Sequence, residues 1–229
     1  MKKRAFKQVL CFFFAFVFCF GAMNVSAIDT EEPLVAESSD DFHAYAGITT
    51  KTKCKGIQAI IKMPSSFPDV SGSGESAWVS TSKDDNRPGK GEWVQAGARY
   101  YPNSIGNYFI QYTEHYKSGV YQITHYDIQK LNSSITYKVE FDGEDEKWHA
   151  FISGVDMVSG SLNENIMTMQ AKAEVHKENI EMGPFTFSRV RIKNGFLEWE
   201  NNTKRPTADS PYSVSSTSTP TQFTVSGPN

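Results

Sequence analysis

The feature that most constrains the fold of this chain is a two-residue alternation of side chains, which recurs from His43 to the C-terminus. The segment Glu92–Tyr101 shows it most clearly. One set of its side chains is apolar: Val94, Ala96, Ala98 and Tyr100. The other set includes an amide, a guanidinium and aromatic rings: Trp93, Gln95, Gly97, Arg99 and Tyr101. Because successive side chains of a β-strand point to opposite faces, this pattern predicts a strand with one packed face and one mixed face.

Similar short segments follow one another along the chain, with turn signals between them. None shows a helical period over three turns, and aromatic and β-branched residues are plentiful. Many short strands at regular spacing predict an all-β fold, a two-sheet antiparallel β-sandwich of the jelly-roll or concanavalin-like kind. The other predicted strands are Lys55–Met63, Ser76–Ser82, Asn107–Tyr116, Val120–Tyr126, Ser134–Phe141, Lys147–Ser153, Ile166–Val175, Phe185–Ile192 and Gln222–Val225.

Residues 1–27 have the composition of a secretory signal peptide. Four basic residues precede the apolar run Val9–Phe20, and a small-x-small cleavage site ends at Ala27. The run is short for a transmembrane anchor, which needs roughly 20 apolar residues. The bulky Phe18 argues against a lipoprotein attached through Cys19. We therefore expect a secreted, extracellular protein that is cleaved after Ala27.

Residues 28–42 carry six acidic residues and no basic one, without any periodicity. This composition is typical of a disordered leader or propeptide, and a plain solvated tail fits it equally well. Residues 43–229 are long enough for a single β-sandwich domain. Within them, the Ser/Thr/Pro-rich segment Thr207–Thr221 resembles a linker, while Phe223–Val225 after it is predicted to return to a sheet.

Charge and cysteine content narrow the range of partners. Beyond the signal, the chain has 19 Lys and Arg against 26 Asp and Glu, a formal net charge of −7. Such an acidic chain repels nucleic acid and anionic membranes, so after signal cleavage we expect neither as a binding partner. Cys54 is the one cysteine outside the signal, so we expect a monomer held by its core without an internal disulfide. A buried strand cysteine is the simpler interpretation of Cys54, with a catalytic thiol as the alternative.

The sequence contains no motif for a cofactor or a metal. The histidines are scattered, without HExxH, CxxC or His-x-His spacing: His43, His115, His125, His149 and His176. We therefore predict no metal site and no cofactor. The segment Asp142–Glu146 has enough carboxylates to hold an ion weakly, but a solvated acidic turn explains it as well. The chain also lacks a GxSxG nucleophile elbow.

A second strand offers chemistry that complements Gln95. In Ile166–Val175, the residues Gln170 and Glu174 share the polar face, and the opposite face is apolar. A carboxyl group can move a proton to or from water, and an amide N–H can stabilise a developing oxyanion. By pattern alone, an ordinary solvent-facing Glu174 is the simpler interpretation.

Several segments, taken in order, resemble those of the glutamic peptidase family, the eqolisins. Trp93–Gly97 resembles the segment that bears the family's catalytic glutamine, and Ala173–Val175 resembles the segment that bears its catalytic glutamate. The Val-Gln-Ala-Gly strand is also similar to one in the plant neprosin family. The resemblance covers nearly all of the chain after residue 42, and its other segments are Ala44–Gly47, Gly56–Pro64, Ser76–Val79, Tyr108–Tyr116 and Phe223–Val225.

The resemblance implies a β-sandwich in which Gln95 and Glu174 lie side by side on a concave face. Glu174 would activate water as general base and later protonate the leaving amine, while Gln95 would stabilise the tetrahedral intermediate. The family's carboxylate on the Tyr108–Tyr116 strand falls on Thr113 in one register and on Glu114 in the other. Ser80–Ser82 replaces the family's Gly-Ile-Asp, which leaves the substrate subsites, and activity itself, open.

The first hypothesis is therefore a secreted endopeptidase that acts on protein or peptide substrates. Its catalytic residues would be Gln95 and Glu174. Its substrate-binding residues would be Trp78, Trp93, Tyr112 and Glu114. The alternative is a non-catalytic secreted sandwich that binds carbohydrate or another surface polymer by aromatic stacking. A third hypothesis is a structural domain with a degenerate site.

Overall fold

The computed structural model describes residues 43–50, 53–67, 75–83, 91–103, 106–165, 167–176 and 181–227. The predicted signal peptide (1–27), its cleavage site and the acidic leader (28–42) lie outside the described residues. Within the described ranges all regular structure is β, and no helix long and apolar enough to cross a membrane is found. The predicted all-β fold class is confirmed.

Fifteen strands account for the regular structure of the described residues. They are β1 (Ala44–Thr49), β2 (Gly56–Lys62), β3 (Glu75–Ser82), β4 (Trp93–Asn103), β5 (Gly106–Lys117), β6 (Val120–Gln129), β7 (Ser134–Asp142), β8 (Lys147–Ile152), β9 (Val155–Gly160), β10 (Thr168–Val175), β11 (Met182–Lys193), β12 (Trp199–Asn201), β13 (Thr207–Ala208), β14 (Ser213–Ser216) and β15 (Phe223–Gly227).

The strands form two antiparallel sheets that pack into a sandwich. One sheet has seven strands in the spatial order β13-β1-β10-β3-β4-β5-β6. The other has eight: β14-β15-β11-β2-β7-β8-β9 in order, with β12 paired to β11. Strands distant in sequence are therefore neighbours, and β10 lies between β1 and β3. This topology leaves only β3 between the strand that carries Glu174 and the strand that carries Gln95.

The core lies between the two sheets and follows the predicted alternation. The apolar side chains of β4 and β10 are at most 1% exposed: Val94, Ala96, Ala98, Tyr100, Met169, Ala171, Ala173 and Val175. Phe185, Phe187 and Phe223 pack into the same cluster from the other sheet. Full burial of a large apolar side chain contributes about 1.5–3 kcal/mol, so this core stabilises the fold without a disulfide. Cys54 is a buried free thiol, as expected.

Four segments differ from the sequence prediction, and two of them, the strands β1 and β12, were not among the predicted strands. The segment Thr207–Thr221 is not a linker, because β13 pairs with β1 and β14 pairs with β15. The strand β9 was not predicted either, although it pairs with β8 at the edge of its sheet. At least half of the side chains in each of these short edge strands are exposed. Backbone hydrogen bonds join the strands to the sheets, and apolar residues such as Met157 and Val214 are only partly buried against the core, so the sequence shows no clear apolar alternation there.

Candidate active site

The candidate residues lie on the face of the seven-stranded sheet that points away from the second sheet, which we call the outer face. Ala173 and Val175 point into the core, so Glu174 between them points outward. Cross-strand pairing arranges the outer face in three rows. The first row contains Tyr45, Glu174, Ser76 and Arg99. The second row contains Lys172, Trp78, Gly97, Tyr112 and His125. The third row contains Gln170, Ser80, Gln95 and Glu114.

Glu174 is held by several polar side chains although it is only 8% exposed. His43 Nδ1 lies 2.8 Å from its Oε1, and the indole Nε1–H of Trp78 donates to its Oε2 at 3.2 Å. His176 Nε2 is 3.7 Å from Oε2, and the Tyr45 hydroxyl also hydrogen-bonds the carboxylate. The solvent-facing alternative for Glu174 is therefore wrong.

The charge state of Glu174 follows from these contacts. Burial raises the pKa of a carboxyl group, but here the charges of His176 and His43 and the hydrogen bonds of His43 and Tyr45 outweigh it. The net effect lowers the pKa of Glu174 to about 2. The carboxylate is thus ionised even in acid, in the form that can accept a proton.

Gln95 is also buried on the outer face, at 7% exposure. Its amide Nε2 donates a hydrogen bond to the Tyr112 hydroxyl at 2.9 Å. An amide group has two N–H donors, and this bond uses one of them. Tyr112 fixes the orientation of the amide.

Gln95 and Glu174 share the outer face but hydrogen-bond to different partners. Gln95 pairs with Ser80 and Glu174 pairs with Ser76, so their positions differ by four residues along β3. In a flat sheet their α-carbons would be about 16 Å apart, a distance that sheet twist changes. Tyr112 spans the gap, because its hydroxyl meets both Gln95 and Ser76. Tyr112 therefore lies between Gln95 and Ser76, which is the cross-strand neighbour of Glu174.

Gly97 makes this arrangement possible. A Cβ on Gly97 would lie 2.3 Å from the backbone oxygen of Ala77 and 2.6 Å from the Cβ of Trp78. Both distances are far below van der Waals contact, so no larger residue fits while β3 and β4 stay paired as they are. Gly97 separates Trp78 and Tyr112 in the second row, and the lack of a side chain lets these large residues flank it.

Trp78 and Tyr112 were predicted to bind substrate, and each is about 1% exposed. Both side chains point outward from the sheet and are absent from the core cluster between the sheets. Their polar atoms contact Glu174 and Gln95, respectively. In this conformation they position the catalytic candidates and present almost no ring surface to solvent.

Glu114 lies opposite Gln95 on β5 and shares the outer face with it, whereas Thr113, the other position considered, lies opposite Ala96 of the core face. The Tyr121 hydroxyl donates to Glu114 Oε1 at 2.5 Å. Burial raises the pKa of Glu114 to about 7, and nearby Glu174 adds to the effect, although Tyr121 and Arg99 oppose it. Glu114 is therefore protonated over a wide acidic range, unlike Glu174.

Trp93 is the partly exposed aromatic residue among the substrate-binding candidates. Its ring stacks on Tyr116 with centroids 4.3 Å apart, and its side chain hydrogen-bonds Glu114. Tyr121 packs against its edge at 6.5 Å. Trp93 thus forms an aromatic wall beside the carboxyl group of Glu114.

The histidines are less scattered in the structure than in the sequence. Because β1 and β10 are antiparallel with Ala44 opposite Val175, His43 and His176 come together just beyond the strand ends. Their rings are 4.6 Å apart, centroid to centroid. The sequence carried one signal for this cluster: His176 follows Glu174 by two residues and therefore shares its face. The approach of His43 depends on pairing across 131 residues, which the sequence pattern did not reveal.

Comparisons with known proteins support the fold. No family model and no curated protein matches the chain. Among solved structures, scytalido-glutamic peptidase with a peptide-based transition-state analog aligns with a TM-score of 0.56 at 14% identity. SCP-B, an eqolisin family peptidase in complex with the tripeptide Ala-Ile-His, aligns with a TM-score of 0.50, also at 14% identity. Each alignment covers 81% of this chain and 98% of the other. The chain therefore has a β-sandwich fold similar to that of the glutamic peptidases.

Proposed function

We propose that the protein is an endopeptidase that hydrolyses peptide bonds on the outer face, with Glu174 and Gln95 as its catalytic residues. The observation that carries the proposal is a buried, ionised carboxylate and a buried, oriented amide on the same sheet face. The similarity in fold to peptidases whose structures contain a transition-state analog or a tripeptide supports a peptide substrate. We further propose that the protein acts outside the cell, after removal of residues 1–27.

Glu174 begins the reaction as general base. Its carboxylate takes a proton from water, and the water oxygen attacks the carbonyl carbon of the peptide. An N–H of the Gln95 amide donates to the carbonyl oxygen as negative charge develops on it. The C–N bond then breaks, and Glu174 returns its proton to the departing nitrogen. The substrate must bridge the two residues, since their own hydrogen bonds go elsewhere.

Glu114 contributes in its neutral form. It lies directly across from Gln95, and a protonated carboxyl group can donate a hydrogen bond where an ionised one cannot. Two carboxyl groups on one face with pKa values moved in opposite directions suit an acid and a base role. We therefore assign the base role to Glu174 and a donor role to Glu114.

Casein cleavage across acidic to neutral pH tests the proposal. Purified mature protein is compared with Glu174→Gln and Gln95→Ala. Glu140→Gln and Gln58→Ala are the matched controls, because both positions lie on the eight-stranded sheet. Cleavage by the wild type and both controls, with loss in both site variants, is the expected result. Equal cleavage by all five proteins would assign the activity to a contaminant or to another site.

The binding-module alternative makes a different prediction. A carbohydrate-binding sandwich would leave casein intact, and it would retain its ligand in Glu174→Gln, since stacking on aromatic rings does not need the carboxylate. Pull-down of the wild type on insoluble polysaccharides, combined with absent casein cleavage, would favour that alternative over the peptidase.

A further inference from the structure

Three side chains at the edge of the outer face form a compact group of metal-type donors: His43, Glu174 and His176. Their donor atoms all lie within 4.8 Å of one another. His43 Nδ1 is 2.8 Å from Glu174 Oε1, and His176 Nε2 is 3.7 Å from Glu174 Oε2. Bonds of about 2.0–2.1 Å from zinc place tetrahedral ligands about 3.3 Å apart. The two observed distances, one to each oxygen of the carboxylate, lie on either side of that value, so modest side-chain rotations would bring one oxygen and both imidazole nitrogens into tetrahedral positions.

The chemistry of this group also matches one class of ion. Two imidazoles and one carboxylate are typical ligands of zinc and neighbouring transition metals, whereas calcium and magnesium prefer oxygen alone. Trp78 and Tyr45 also hydrogen-bond the carboxylate of Glu174. Such outer hydrogen bonds orient metal ligands in proteins.

The setting allows an ion to enter. The three side chains are largely buried but retain 9%, 11% and 19% exposure for His43, Glu174 and His176, respectively. We propose that His43, Glu174 and His176 form a binding site for a divalent transition metal of the zinc class, with water in the fourth position.

Metal binding would also affect the rate of the proposed peptidase reaction. A metal on Glu174 occupies the lone pairs that would otherwise take a proton from water. Zinc should therefore inhibit hydrolysis by competing for the catalytic base. This consequence rests on the proposed function, whereas metal binding itself does not.

Isothermal titration of the chelator-treated wild type with Zn²⁺ tests the site directly. The titration is run at about pH 7.5, above the ordinary imidazole pKa of about 6.5, because zinc binds imidazole in its neutral form. We expect one saturable site, which His43→Ala and His176→Ala each remove. The matched control is His149→Ala, because His149 belongs to a second donor group with Asp142 and Asp145. Absence of saturable binding, or loss only in His149→Ala, would overturn the proposal.

A second measurement does not depend on folding of the variants. Co²⁺ added to the wild type should give visible absorption of tetrahedral intensity, and excess Zn²⁺ should abolish it. A weak, octahedral-type spectrum would contradict the ligand set. Inhibition of casein cleavage by Zn²⁺ is then measured separately. An inactive protein that still binds Zn²⁺ would refute the proposed function alone, and an active protein without binding would refute the metal site alone.

Discussion

The buried carboxyl group of Glu75 should make the protein more stable in mild acid than at neutral pH. Glu75 begins β3 and is 1% exposed. One of its oxygens accepts the Gly183 N–H, and Oε2 has no hydrogen-bond partner among the described residues. Burial is the main cause that raises the pKa of Glu75 to about 8 from the usual 4.5. The folded protein therefore keeps a proton that the unfolded chain releases near pH 4.5.

The sign and size of the effect follow from this difference. Between pH 4.5 and 8 the folded state binds the extra proton, so its stability falls as the pH rises through this window. At 1.36 kcal/mol for each pKa unit, the upper limit of the loss is about 5 kcal/mol. Glu75→Gln keeps an acceptor for Gly183 and carries no charge. The variant should match the wild type within about 1 kcal/mol near pH 4.5 and exceed it by several kcal/mol at pH 8.

Urea denaturation at a series of pH values from 4.5 to 8 measures this difference. Glu140→Gln is the control, because Lys138 and Lys193 lower the pKa of Glu140 despite its partial burial. Its contribution to stability is lost only as the pH falls through its folded pKa, below the chosen window. If wild type and Glu75→Gln keep a constant difference in free energy of unfolding across the window, Glu75 does not hold a proton in the folded state.

Three further predictions concern the outer face. Peptidase activity should fall as the pH rises through about 7, where Glu114 loses its proton. The titratable and charged groups around it are Arg99, Tyr121, Glu174 and Tyr112. In a pH profile, Glu114→Gln should lack this alkaline limb, and an unchanged limb would exclude Glu114 as its source. Gly97→Ala should destabilise the fold by about 3 kcal/mol or more in urea, because the added Cβ meets the backbone of β3. Gly143→Ala, where nothing lies within 4 Å, should change stability by less than about 1 kcal/mol, and equal effects would refute the steric argument. Tyr112→Phe removes the hydroxyl that accepts the hydrogen bond of the Gln95 amide. The variant should lower kcat about tenfold or more with KM little changed. A change in KM alone would instead give Tyr112 a role in substrate binding.

The sequence predicted the fold class and the direction of the side chains in the two strands that carry the candidate catalytic residues. Alternation in Glu92–Tyr101 and Ile166–Val175 correctly separated the core face from the face that bears Gln95 and Glu174. Period-two patterns are reliable here because both sheets bury one face against the other. The same signal failed for β13 and β14, whose side chains are mostly exposed.

The environment of the site was harder to predict, because it depends on pairing between distant strands. His43 reaches Glu174 only through the register of β1 on β10, and Glu114 reaches its place beside Gln95 through the register of β5 on β4. Alternation assigns a residue to a face but not to a row along the strand. The contrasting pKa values of Glu114 and Glu174 arise from these rows, so they became visible only in the structure.

The most direct test of a shared catalytic site is a double-mutant cycle on Gln95 and Glu174, in which kcat is measured for cleavage of a peptide substrate. Glu174→Gln should lower kcat about 10²–10⁴-fold, and Gln95→Ala about 10²–10³-fold, each measured at a temperature where urea denaturation shows the variant to be folded. Because residues that act in one step are not additive, the double variant should be little slower than Glu174→Gln alone. Full activity in either single variant, or losses that simply multiply in the double variant, would contradict a shared catalytic site.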